Sequence, residues 1–254
     1  MQKFLFNNAV HLLMTNRKMG DFHPLSENFR DRLNPVLDRL GAIYCLNPVS
    51  DFTNRVFVDV EIHPGQFTRS PDFADAIVTK NSHRALMIAT ADCFAGVVFD
   101  PGKRGLALVH LGLKSIYRED GDRSVLENVV RIMGGKNMLF WFGGGIGNCC
   151  YGINDPVFIE KIKDRFGSLS VNGEVEKGPR RGFPAIDLHN IIYNEAVGLG
   201  LEVCSDRTSD ICTSCYAHPN PNGEGFGRFF SNVRDSEAGS GVLRPRNGVF
   251  VMMK

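Results

Sequence analysis

The stretch from Thr90 to Lys114, TADCFAGVVFDPGKRGLALVHLGLK, constrains this chain more than any other. Ala95 to Phe99 and Gly105 to Val109 are short apolar runs of β-compatible residues on either side of a Pro101-Gly102 turn, and Leu86 to Ala89 is a third run just ahead of them. That is the pattern of a buried hairpin. It puts Cys93 and His110 at strand ends, together with Asp92. A thiol, an imidazole and a carboxylate brought together on rigid backbone suit a metal site or a Cys/His nucleophilic site. The same residues have a plainer reading as a small buried Cys and a hydrogen-bonded strand-end His.

With 254 residues and 43% hydrophobic content, the chain can bury one large core, and a single domain over residues 1–254 is expected. Basic residues number 29 against 28 acidic ones, with no basic block. A surface so balanced carries no footprint for nucleic acid or an anionic membrane, and a small-molecule partner is expected instead. No apolar run approaches the roughly 18 residues of a membrane span. The segment Met1 to Met14 is broken by Asn7, Asn8 and His11 and shows no cleavage pattern, which points to a cytoplasmic protein. Seven cysteines is an odd number, so reduced thiols are expected rather than a disulfide framework.

Elsewhere the periodicity predicts a strand over Val10 to Arg17. It then predicts an amphipathic helix over Ser26 to Leu40, with Ser26 as N-cap, Pro35 inside and Gly41 as stop. Further strands are predicted at Ala42 to Leu46, Arg55 to Ile62, Met138 to Phe142 and Leu201 to Val203. Helices are predicted at Ser124 to Met133, Pro156 to Phe166 and Asp187 to Leu199. Gly143 to Gly147 follows a strand but lacks the spacing of a dinucleotide fingerprint, and it reads as a glycine turn. In the tail, Cys212, Cys215 and His218 are zinc-compatible, but a structural site needs a fourth ligand and the sequence puts none nearby. Cys212 and Cys215 are therefore expected to be reduced and metal-free, in a turn that seats a strand from Arg228 to Asp235.

Five ordered pieces carry a resemblance: TADCFAGVVFDP, VHLGLK, GGGIGNCCYG, AIDLHNIIYNEAVGLGLEV, and DICTSCYA with RFFSNVRD. Together they resemble the laccase-domain (YfiH-like) family, also called the polyphenol oxidase or purine nucleoside phosphorylase family. The resemblance implies an α+β fold, an α/β sandwich of mixed sheets packed together with helices outside, similar to the catalytic domain of cytotoxic necrotizing factor. It also implies zinc held by a His, the Cys of an Ala-Asp-Cys motif and the His of an H-A-G-W motif. Cys93 and His110 match the last two. Ser50 stands where the first His is expected, so Asp51 and His63 become alternatives for the third ligand. Leu111 and Leu113 replace the small residue and the Trp of H-A-G-W.

The activity implied is phosphorolysis of purine nucleosides with deamination of adenosine. Cys93, His110 and Asp92 would be catalytic, and Arg17, Lys114 or Arg234 would bind phosphate. The partners implied are a purine nucleoside and phosphate, and a homodimer is allowed. Copper-dependent polyphenol oxidation, a metal-free Cys93/His110 thiol hydrolase and a catalytically degenerate binding protein are the alternatives. With Ser50 in place of His, zinc is expected to bind weakly, and the site can lack metal altogether.

Overall fold

The computed structural model describes residues 2–15, 19–23, 26–42, 44–50, 54–59, 68–118, 121–204, 212–214, 229, 231 and 245–254. In chain order these form β1 (Gln2–Leu5), β2 (Val10–Met14), α1 (Phe29–Leu40), β3 (Tyr44–Val49), β4 (Val56–Val58), β5 (Thr68–Phe73) and β6 (Ala76–Thr79). The central stretch gives β7 (Arg84–Thr90), β8 (Phe94–Asp100) and β9 (Gly105–Leu111), followed by α2 (Leu113–Ile116), α3 (Val125–Met133) and β10 (Leu139–Gly143). The remainder is α4 (Pro156–Phe166), β11 (Val171–Glu174), β12 (Pro184–Ile186), α5 (Leu188–Gly198), β13 (Glu202–Val203) and β14 (Asn247–Met253).

Two six-stranded mixed sheets dominate, one in the order β1-β2-β14-β7-β3-β5 and the other β13-β10-β8-β9-β6-β4. They face one another across a shared core. Leu12, Met14, Leu86, Ile88, Val249 and Val251 of the first sheet meet Ala95, Val97, Leu106, Leu108 and Trp141 of the second. The second sheet turns its other face, including Val98, Ala107 and Val109, to α3, α4 and α5. The first sheet does the same with Leu13, Met87 and Phe250 against α1. With both faces covered, β8 and β9 are buried at every position, and that is why they read as continuous apolar runs rather than as an alternation. The fold is α+β, a sandwich with helices outside.

Where structure and sequence reading differ, local chemistry explains it. Helix α1 begins after Asn28, which is left-handed and makes no side-chain cap bond, whereas Ser26 Oγ turns to the Asp21 carbonyl at 3.3 Å. Pro35 lies inside an unbroken helix, and left-handed Gly41 ends it by donating to the Asp38 carbonyl. The Arg55–Ile62 strand is Val56–Val58 among the described residues. Arg228–Asp235 lies outside them except for Phe229 and Ser231. Helices α3, α4 and α5 are capped by Ser124, Asp155 and Asp187, each accepting from the N–H three residues on.

Candidate functional site

The short corner Ala91-Asp92-Cys93 carries the chain from β7 in one sheet to β8 in the other. Strands β8 and β9 are antiparallel with Ala95 opposite His110. Because Cys93 lies two residues before Ala95, it shares the side of the hairpin on which His110 lies. Cys93 stands near enough to His110 to act on its titration. On its other flank His110 Nδ1 lies 2.9 Å from Asp75 Oδ1, which leaves Nε2 as the nitrogen available to Cys93. Asp75 stands one residue before β6, whose pairing with β9 brings it alongside. It is fully buried, its carbonyl accepts from His110 N–H at 2.7 Å, and its second oxygen accepts from Asn54 N–H at 3.2 Å. Burial pulls the His110 pKa down. The electrostatic pull of nearby Cys93 and the hydrogen bond to Asp75 outweigh that, raising it to about 9.

Asp92, expected to be catalytic, is tied to two neighbouring segments. Its backbone is left-handed (φ 83°), and its carboxylate accepts from Thr213 Oγ1 at 2.8 Å, while its carbonyl accepts from Ile146 N–H at 2.7 Å. The carboxylate on His110 is Asp75 instead. The sequence carried a signal for this, an acidic residue bracketed by apolar ones in FADAIV. The glycine loop after β10 packs under the same corner. Gly144 has φ +70°, and a Cβ on Gly145 would stand 2.1 Å from Phe94, the residue after Cys93.

Tyr151 and Arg180 complete the surroundings, and sequence reasoning missed both. Burial and then the nearby charge of Cys93 push the Tyr151 phenol up to about 12 against the opposing pull of Arg180. The Arg180 guanidinium lies 5.3 Å over the ring centroid and donates to the Gly152 carbonyl at 2.8 Å. Tyr151 thus provides an aromatic surface beside Cys93, whereas Leu111 and Leu113 are buried in the core on the helix side.

The other expected residues are dispersed. Lys114 is exposed on α2. Ser50 follows β3, a parallel neighbour of β7, so both strands run to the same end of the sheet; its Oγ is buried with no hydrogen-bond partner among the described residues. Arg17, Asp51, His63, Cys215, His218 and Arg234 lie outside the described residues. In the tail, the expectation that no further ligand lies near Cys212 is overturned. Cys149 and Cys150, far away in sequence, are its neighbours. The described cysteines form no disulfide.

Residues 52–243 match the family model described as multi-copper polyphenol oxidoreductase laccase. The chain belongs to that family. The solved structures agree on the fold. The YfiH hypothetical protein of Bacillus licheniformis is similar at 19% identity and a TM-score of 0.71, over 97% of this chain and 94% of that one. A Neisseria meningitidis protein matches at 17% identity and a TM-score of 0.69, over 97% and 95% of the two chains. YlmD from Geobacillus stearothermophilus matches at 17% and 0.66, over 96% and 91%. Comparison with curated proteins gives no match.

A laccase-domain member raises the question of metal, and the donor set at the corner answers part of it. A thiolate with an imidazole oriented by a carboxylate suits zinc, because that outer carboxylate is the usual companion of a metal-ligating His. A His₂Cys copper centre needs a second imidazole, and none accompanies Cys93 and His110 among the described residues. No helix of the described residues is long and apolar enough to cross a membrane.

Proposed function

We propose that this laccase-domain protein acts on purine nucleosides at the Cys93–His110 corner, by phosphorolysis of the N-glycosidic bond and deamination of adenosine, with zinc held by Cys93 and His110. The observation that supports this most is the Asp75–His110–Cys93 alignment, a buried carboxylate orienting an imidazole beside a thiol. Zinc at that position supplies a Lewis acid and a water of lowered pKa, which deamination requires. The chain's own residues supply the rest. Asp75 fixes the ring of His110 and, with it, the direction of the ligating nitrogen. Tyr151, whose phenol stays protonated up to about pH 12, offers a proton donor and a ring face for the base. Arg180 lies beside it as a guanidinium for phosphate, ahead of exposed Lys114. In phosphorolysis a phosphate oxygen bonds to the ribose C1′ as the C1′–N bond breaks, and the purine leaves with that electron pair and takes up a proton from Tyr151.

The test is metal analysis of the purified protein together with phosphate-dependent consumption of adenosine and inosine. Weakly held zinc, restored by added Zn(II), and release of free base with ribose 1-phosphate are expected, and both should be lost in Cys93→Ser and His110→Gln. A metal-free protein that leaves both nucleosides untouched would end this reading. The placement of Cys93 beside an Asp75-bonded His110 also supports a second reading, a thiol hydrolase with Cys93 as nucleophile, His110 as base and Asp75 as orienting group. Its signature is activity that survives a chelator and is abolished by alkylation of Cys93.

A further inference from the structure

Three thiols that the Cys93 corner does not use converge behind it. The sulfurs of Cys149, Cys150 and Cys212 all lie within 4.8 Å of one another. Cys150 and Cys212 are buried, Cys149 is half-buried, and Ile146 packs against them. Two come from the turn after β10 and the third from a segment beyond β13, so the fold has gathered sulfurs from separate parts of the chain. Space is kept for them. A Cβ on Gly147 would stand 3.3 Å from Cys149 Sγ and 3.6 Å from Cys212 Sγ. The close approach of Cys149 and then Cys150 holds Cys212 far below the usual thiol range, while the approach of Cys150 and Cys212 drives Cys149 far above it.

We infer that Cys149, Cys150 and Cys212 form a second metal site, separate from the Cys93–His110 corner, that takes a soft closed-shell cation, Cu(I) or Zn(II). Sulfurs around one ion at about 2.3 Å from each stand roughly 4 Å apart, within the span already present, so loading needs only small side-chain movement. Thiolates select soft ions, and binding displaces thiol protons. Three sulfurs complete a trigonal Cu(I) site, whereas Zn(II) takes a fourth donor or water. The position gives the ion a structural role. It clips the 144–151 loop to the 212–214 segment, and these are the two pieces that hold Asp92, through Ile146 N–H and Thr213 Oγ1. The inference does not depend on the nucleoside reading.

The experiment uses the full chain carrying Cys93→Ser and His110→Ala, which removes the other candidate ligands. Protein stripped under reductant is titrated with Cd(II), read by its thiolate charge-transfer absorbance, and in separate arms with Cu(I) and Zn(II) against competing chelators. One equivalent of Cd(II) is expected. With one sulfur of three removed, Cys149→Ser, Cys150→Ser and Cys212→Ser should each lose about a third of the absorbance, and affinity should drop about ten-fold or more. Metal should also slow amide exchange at Ile146 and Thr213, and the tighter of Cu(I) and Zn(II) identifies the ion. Circular dichroism checks folding, and Cys149→Ser, at the half-buried position, disturbs packing least. No Cd(II) equivalent in the parent, full absorbance in Cys149→Ser and Cys212→Ser, or loss confined to Cys215→Ser would each overturn the site.

Discussion

Removing a carboxylate from water costs several kcal/mol unless its oxygens are used, and fully buried Asp75 uses both, on His110 and on the Asn54 N–H. Asp75→Asn should therefore leave the fold assembled while weakening zinc binding by about 10- to 100-fold, as loss of an outer carboxylate does elsewhere. Zinc titration of folded wild-type and Asp75→Asn protein measures this, and equal affinities would detach Asp75 from the site. Metal-free protein tests the same contacts by pH. The His110 pKa is raised from 6.5 to about 9 in the folded state, so its stabilisation is complete below about pH 6.5 and is lost as pH climbs through 9. Unfolding free energies of wild type and His110→Gln, measured with chelator from pH 6 to about 10, should converge as pH rises. Cys93 and His110 were legible in the sequence because they sit at the ends of unmistakable apolar runs. Asp75, Tyr151 and Arg180 were not, because their relation to Cys93 depends on strand register and on a distant loop that no local pattern encodes.

At the scale of elements, the glycine loop after β10 and the corner before β8 depend on each other. Gly145 lies so close to Phe94 that a Cβ has no room, and its carbonyl accepts from Thr213 N–H at 2.9 Å. Gly145→Ala should cost about 1–3 kcal/mol through overpacking, with a further loss of whatever activity Cys93 supports because Phe94 is its chain neighbour. Denaturant unfolding and the nucleoside assay together check it. Stability equal to wild type would mean that Phe94 swings away freely. Helices α3 to α5 were legible to within a residue or two since Ser124, Asp155 and Asp187 are strong caps and Gly134, Gly167 and Gly200 lie just past the ends. The start of α1 was not. Ser26 resembles a cap in sequence, but its hydroxyl satisfies the Asp21 carbonyl, and the first turn waits for Asn28.

Across the whole molecule, what the sequence left hidden is the order of the strands. The sequence reading places no strand at Asn247–Met253, and nothing local says that β14 lies between β2 and β7, or that β7 and β8, consecutive in the chain, belong to opposite sheets. That placement makes the C-terminal strand structurally central. All seven residues of β14 are buried; Val249 and Val251 point into the core between the sheets while Phe250 packs with α1. The strand pairs along its length with Val10 to Met14 on one side and Leu86 to Thr90 on the other. Removing it would detach the β1–β2 hairpin from the sheet and leave two ladders of backbone groups unpaired in a buried setting, each group costing on the order of 1–3 kcal/mol. Ending the chain at Arg246 should therefore abolish folding, although it removes only a short terminal segment and none of the candidate site residues. Phe250→Ala, which keeps the ladder and empties one core position, should instead yield folded protein destabilised by about 3–5 kcal/mol. Circular dichroism and denaturant titration of the two variants distinguish these effects. A truncated chain that unfolds cooperatively near the wild-type midpoint would mean that the first sheet is held together without its central strand.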